Sequence, residues 1–178
     1  MYFTKYPSPV GALTLACDGE CLTGLWLEGQ KYHGANLLET AQEKDDIPVF
    51  DNAKKWLDKY FNGEKPDISK LPLNPVGSEF RREVWKILCE IPYSEVITYG
   101  DIAKKIAAKM NRSSMSGQAV GGAVGHNPIS IIIPCHRVVG ASGSLTGYAG
   151  GLAAKIKLLE LDGVDVSRFS IPENGTAL

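Results

Sequence analysis

No uninterrupted apolar run in these 178 residues approaches the ~18 needed to cross a bilayer. The first residues, Met1-Tyr2-Phe3-Thr4-Lys5, also lack the basic-then-apolar order of an export signal. A cytoplasmic protein with no membrane partner is therefore expected. Charge of one sign is not in excess. The formal net charge is -1, which excludes a chain that binds nucleic acid by bulk basicity. The first 78 residues carry -3 and the remainder +2, an asymmetry too mild to point to nucleic acid on its own. Cysteine is sparse: Cys17, Cys21, Cys89 and Cys135 fit no regular spacing, and a chain of this length needs no disulfide scaffold. Cys17 and Cys21 form a Cys-x3-Cys pair with His33 downstream, but a fourth ligand is not evident. Asp18-Gly19 reads better as a tight turn with the two cysteines flanking it on strands, so no metal is expected. What the chain does have is 44% hydrophobic against 22% charged residues, enough to bury a core.

Residues 10–28 predict a β-hairpin turning at Asp18-Gly19. Residues 34–47 are polar and acidic and predict an ill-defined helix and loop. Val49, Phe50, Ala53, Trp56, Leu57, Tyr60 and Phe61 keep helical spacing until Asn62-Gly63. Three prolines between Pro66 and Pro75 suit a linker, which places the domains at 1–77 and 78–178. Beyond it, Ser78 caps a helix over 79–91, and Thr98-x-x-Asp101 is a capping signal for a second. Ser116 caps a third over 117–124. Short helix, loop, short helix is the outline of a helix-turn-helix. The third helix carries Gly117, Gly121 and Gly122, each costing roughly 1 kcal/mol against alanine in a helix interior. Tight packing on a neighbouring helix and close approach to a ligand explain that cost equally well. Ile129-Ser130-Ile131-Ile132-Ile133 predicts a buried strand, and residues 152–162 a last helix stopped by Gly163.

Cys135 follows that apolar run and is flanked by His136 and Arg137. A cationic setting lowers a thiol pKa and favours a nucleophile, although an inert buried cysteine is commoner. On an extended strand Cys135 and His136 would point to opposite faces, so they act together only if the chain turns after Pro134.

The run Ile133-Pro134-Cys135-His136-Arg137-Val138-Val139-Gly140 resembles the active-site motif of the methylated-DNA-protein-cysteine methyltransferases, the O(6)-alkylguanine-DNA alkyltransferases. The likeness extends from Phe80 to Gly163, through Val96–Ala103, Ala119–Ala123, Asn127-Pro128 and Gly147–Gly151. Before the linker only Ser8-Pro9-Val10-Gly11 and the hairpin are similar. The resemblance implies an α/β N-terminal domain like ribonuclease H beside a mostly helical C-terminal domain with the helix-turn-helix.

The resemblance also implies chemistry. Cys135 takes the alkyl group from O6 of guanine and is spent, one transfer per molecule. His136 is the general base, acting through a water, and Asp162 is the carboxylate behind it. Asn127 orients the active-site turn. Tyr99 presses on the DNA backbone and steadies the departing guanine. Tyr148 and Lys155, with Val138 and Gly150, line the guanine pocket. Gln118, Ala119, Gly121, Gly122 and Arg137 meet double-stranded DNA, the third helix being slim enough for a minor groove about 6 Å wide. The base must leave the stack to be reached. No cofactor is implied, and a monomer is expected. Two positions depart from the usual pattern. Gln118 stands where an arginine wedge is frequent, which predicts a weaker hold on DNA. Asp162 stands where glutamate is usual, one methylene short, so the helix must sit closer or a water intervene. Three other readings are a damage-flagging relative without transfer, a helix-turn-helix regulator and a cysteine hydrolase. The first is disfavoured because Cys135 is present, the last because no helix N-terminus follows it.

Overall fold

The computed structural model describes residues 1–34 and 39–172, and the chain divides into two compact units. The first unit holds Met1–Val76 together with Pro128–Ile132. The second holds Gly77–Asn127 and the chain from Ile133 onward.

In the first unit, strands β1 (Tyr2–Ser8), β2 (Gly11–Cys17), β3 (Leu22–Leu27) and β4 (Gln42–Glu43) form one sheet in the order β3-β2-β1-β4. The expected hairpin is β2–β3. The Asp18 carboxylate builds its turn by accepting the N–H groups of Glu20 and Cys21 at 2.9 and 2.8 Å. β1 is an addition to the sequence reading. It pairs antiparallel with β2 along its whole length, with Pro7 opposite Ala12. Pro7 breaks the strand pattern on paper, yet it is tolerated because β1 has a second neighbour only at Tyr2 and Phe3.

That second neighbour bears on the helix and loop expected within 34–47. Among the described residues of that stretch there is no helix, and residues 35–38 lie outside the description. Gln42 N–H donates to Met1 O at 3.1 Å and Lys44 N–H to Phe3 O at 3.0 Å, so pairing with β1 holds this polar segment extended. Helix α1 (Pro48–Phe61) starts with proline in its first turn and buries Val49, Phe50, Ala53, Trp56, Leu57 and Tyr60.

β3 is buried at all six residues and its outer edge is covered. Leu22 bridges Leu73, and Leu25 bridges Ile129. Leu25 N–H donates to Pro128 O at 2.8 Å, and Ser130 N–H returns to Leu25 O at 2.9 Å. The strand expected over 129–133 is therefore a single bridge followed by turns. Ile132 N–H donates to Ser130 O at 2.8 Å, closing a γ-turn centred on Ile131 at φ 71°. A β-branched residue there costs about 1–3 kcal/mol. The run is apolar because it is buried, and burial alone does not tell strand from turn.

In the second unit, helices α2 (Glu79–Cys89), α3 (Tyr99–Lys109) and α4 (Gly117–Gly125) begin at the three expected caps. Ser78, Thr98 and Ser116 accept the N–H groups of Arg81, Asp101 and Ala119. α4 packs against both α2 and α3 through Val120, Gly121, Ala123 and Val124, and Trp85 Nε1 donates to Ala123 O at 2.8 Å. Strand β5 (Ile97–Thr98) pairs in parallel with β6 (Val138–Val139). Helix α5 (Leu152–Leu161) places Leu159 in a core with Val139, Leu145 and Val164. Each fully buried aliphatic side chain of this kind contributes about 1.5–3 kcal/mol. Among the described residues no helix is long and apolar enough to cross a membrane.

Candidate active site

The chain does turn after Pro134. Pro134 takes φ -81°, ψ 64°, and Cys135 N–H donates to Ile133 O at 2.8 Å, an inverse γ-turn. Cys135–Arg137 then forms one turn of 3-10 helix instead of continuing extended. The sheet alternation that would separate Cys135 from His136 is thereby removed. Asn127 braces the turn. Its Nδ2 donates to Ile133 O at 2.8 Å, and its side chain also hydrogen-bonds the Cys135 thiol. Cys135 is free of any disulfide and 5% exposed.

α5 supplies the facing groups. Lys155, Leu158, Leu159 and Asp162 recur at helical spacing, so one buried face carries both a cation and an anion. The Asp162 Oδ2 lies 2.8 Å from His136 Nε2, with no water needed to span the shorter side chain. The same oxygen accepts Arg137 Nε at 2.6 Å. Lys155 Nζ donates to Val138 O at 2.5 Å and to Thr146 O at 2.8 Å, tying β6 to the loop before α5. Val138 thus contributes a carbonyl that already has a donor. Tyr148 is buried, its ring edge-on to His136 at 6.4 Å, and its hydroxyl has no hydrogen-bond partner among the described residues. Tyr99 OH reaches Gly147 O at 3.3 Å. Gly150 occupies the turn closed by Gly151 N–H on Tyr148 O at 3.0 Å.

Burial dominates the electrostatics. It pushes the Cys135 thiol up, and the Asn127 hydrogen bond and Lys155 charge only partly reverse that. The expected lowering by a cationic setting is therefore not met, because burial outweighs it, and the nearby Arg137 charge is paired with Asp162. Burial lowers the His136 pKa, against the Asp162 hydrogen bond and charge, so the imidazole is neutral at neutral pH. With Nε2–H donating to Asp162, the Nδ1 lone pair is left to accept a proton. Burial likewise raises the Asp162 carboxyl, but His136 and Arg137 more than offset it and hold it at about 2. Lys155 is lowered by burial to about 8, and Tyr99 is raised by burial to about 12. A neutral base backed by a buried carboxylate, beside a thiol that has to be deprotonated, is an arrangement for nucleophilic chemistry at sulfur. Two open clefts of this unit, one lined by Ile87, Ile91 and Asp101 and one by Ala103, Arg112 and Met115, do not include Cys135.

Two family profiles match the chain. The ribonuclease-like domain of 6-O-methylguanine DNA methyltransferase covers residues 1–75, and the DNA-binding domain of 6-O-methylguanine DNA methyltransferase covers 79–164. The chain belongs to the 6-O-methylguanine DNA methyltransferase family. It is 44% identical over 162 residues to a methylated-DNA–protein-cysteine methyltransferase of Haemophilus influenzae, covering 91% of this chain and 86% of that one. It is 43% identical over 162 residues to the one from Mycobacterium tuberculosis H37Rv, covering 91% and 92%. A crystal structure of Mycobacterium tuberculosis OGT in complex with DNA superposes with a TM-score of 0.79 at 41% identity, covering 95% of each chain. The two-domain architecture of the family, with a ribonuclease-like domain first, is thus shared.

Within this family frame the residues expected on DNA separate. On α4, Gln118, Ala119 and Gly122 are exposed, whereas Gly121 is buried on the packing face. An added Cβ at Gly117, Gly122 or Gly125 would meet nothing within 4 Å. Packing therefore explains Gly121 and leaves Gly122 without an internal reason. Arg137 is a correction. It is 3% exposed, committed to Asp162 and to Ile91 O at 2.7 Å, with its guanidinium 4.3 Å over the Tyr93 ring. The guanidinium is thus turned inward and not presented on the surface. The sequence reading missed the loop that holds it, Ile91 to Ser94. Ser94, at φ 68°, donates its hydroxyl to Asp162 O at 2.8 Å. No sequence signal marks it, since a serine at positive φ looks like any other. Among the described residues no three His, Cys, Asp or Glu side chains gather to hold a metal, and His33 lies against Trp26.

Proposed function

We propose that this chain transfers the alkyl group from O6 of alkylguanine in double-stranded DNA to Sγ of Cys135, once per molecule. The names of its relatives support the reading. The observation that carries it is His136, its Nε2 held at 2.8 Å by Asp162, beside an undisulfided Cys135 on an Asn127-braced turn. The thiol proton passes to His136 Nδ1 through a water. The sulfur then attacks the alkyl carbon, a C–S bond forms, and the C–O bond breaks with its electron pair going to guanine. The guanine anion is a poor leaving group, so a proton donor or positive charge at its edge lowers the barrier. Tyr99 and Tyr148 are suited to donate there. Lys155 acts by its charge and by holding the carbonyls of Val138 and Thr146, with Gly150 keeping the adjoining turn compact. The product thioether is uncharged and nothing removes it, so no cofactor takes part.

α3, the 110–116 connection and α4 serve as a helix-turn-helix, with α4 entering the minor groove and the alkylated base turned out of the stack. The protein acts as a cytoplasmic monomer. Duplex DNA containing O6-methylguanine, incubated with the protein, should leave one methyl group on the Cys135 peptide and none in Cys135→Ser. An unmodified peptide with lesion-selective binding indicates a flagging protein, and no lesion preference indicates a regulator. More than one product per chain indicates a hydrolase. Any of the three overturns the proposal.

Gln118 is exposed in the first turn of α4, where an arginine would add a cation facing DNA. Gln118→Arg is expected to tighten binding and steepen its log–log salt dependence by about 0.9. Unchanged affinity and transfer rate would remove Gln118 from the interface.

A further inference from the structure

We infer that Arg137 is a positioning residue of the transfer chemistry, which shares one oxygen of Asp162 with His136 and so keeps that imidazole unprotonated at neutral pH. This rests on the function proposed above and assigns Arg137 a role there in place of a DNA contact. The geometry is specific. Asp162 Oδ2 accepts His136 Nε2 at 2.8 Å and Arg137 Nε at 2.6 Å, and all three side chains are buried. The guanidinium is fixed independently of the carboxylate, by Ile91 O at 2.7 Å and by the Tyr93 ring beneath it at 4.3 Å. Ser94, from the same loop, holds the main-chain carbonyl of Asp162 at 2.8 Å. One loop therefore clamps both the cation and the residue whose carboxylate it neutralises.

The physical consequence follows from charge. A buried carboxylate beside an imidazole stabilises imidazolium and raises its pKa. A base that is already protonated takes no proton from Cys135. Arg137 carries a permanent charge, and at the shared oxygen it opposes part of that pull, adding to the burial that is the main cause of the lowered His136 pKa. The hydrogen bond from Nε2–H survives, so the tautomer with a free Nδ1 lone pair is still selected. The arrangement keeps the orienting effect of the carboxylate and weakens the effect of its charge. The other groups facing His136 are consistent with this. Lys155 of α5 lowers its pKa further, and Tyr148 presents an uncharged ring edge. Cys135 adjoins it on the same turn. Cys89 at the end of α2 faces Arg137 and is neutral, its thiol pushed up by burial to about 11.

The test measures the transfer rate at saturating O6-methylguanine duplex across pH 5.5–9.5 in wild type, Arg137→Met and Arg137→Lys, with DNA affinity measured separately. In Arg137→Met the limb belonging to His136 should move up by about one pH unit, lowering the rate about tenfold on the acid side of that limb and less at pH 7. The rate should return toward wild type near pH 9, and Arg137→Lys should fall between. DNA affinity should change by less than about twofold, since a buried side chain makes no phosphate contact. A rate lowered equally at every pH would mean a merely structural ion pair, and an unchanged rate would mean none; each overturns the inference. If Arg137→Met does not fold, the wild-type His136 ring is followed by nitrogen NMR. A neutral Nε2–H tautomer at pH 7 is expected, and imidazolium there overturns the inference. A wild type that transfers nothing would instead sink the proposed function, and the NMR result would still report the protonation state of His136.

Discussion

Asp162→Asn is expected to destabilise the fold by about 3–5 kcal/mol, because it leaves the Arg137 guanidinium buried without its counter-charge. The transfer rate should fall by about 100-fold or more, the scale of a general base lost from a proton-transfer step. Denaturant midpoints and single-turnover rates would measure the two effects. A variant within about 1 kcal/mol of wild type that still transfers at a third of its rate would contradict the assignment. The same pair fixes the acid behaviour of the native protein. The Asp162 pKa is about 2 in the fold, below the ordinary 3.8. Its stabilisation is thus complete above pH 4 and lost as the pH falls through 2. By linkage that is about 2 kcal/mol. His136 acts in the same sense but begins earlier. Its pKa is lowered from 6.5 by burial, so the unfolded chain takes up that proton first and stability declines from about pH 6.5 downward. Two declines on acidification are expected, and Asp162→Asn should lose the lower one.

Gly122→Leu should separate stability from DNA binding. A Cβ at Gly122 meets no protein atom within 4 Å, so the leucine has room. Leucine is also the better helix former by close to 1 kcal/mol, so the melting temperature should stay level or rise. Affinity for duplex DNA should fall about ten- to hundredfold, as when an extra side chain is forced into a close-packed contact. Unchanged affinity would remove α4 from the DNA interface. A fall in melting temperature would mean that the space is not open.

Much of the second unit could be read from the sequence because its signals are local. Ser78, Thr98 and Ser116 each cap the helix that follows them, whereas Lys155 and Asp162 are marked only by the family resemblance. What escaped is non-local. β4 exists only because Met1 and Phe3 offer main-chain partners to a polar stretch. The γ-turn at Ile131 is invisible in a run of isoleucines, since its strain is set by what Pro128 and Ser130 bond to in β3. Arg137 illustrates the same limit in the site. A charged residue beside a nucleophile reads as a surface contact, and only its neighbours in space, Tyr93 and Asp162, turn it inward.

Pro128–Ile132 has a consequence for how the chain can be divided. These five residues lie in sequence between α4 and Cys135, yet they complete the first unit, where Ser130 Oγ donates to Gln30 Oε1 at 3.3 Å. Severing the polypeptide at the proline-rich linker would give two incomplete products. One would lose the cover that Ile129 gives β3 at Leu25, and the other would carry Ile129 and Ile132 away from the unit they pack in. Modularity is thus only apparent in the gene. The five residues just ahead of Ile133 fold with the first unit, so a cut at the linker takes from that unit part of its own chain.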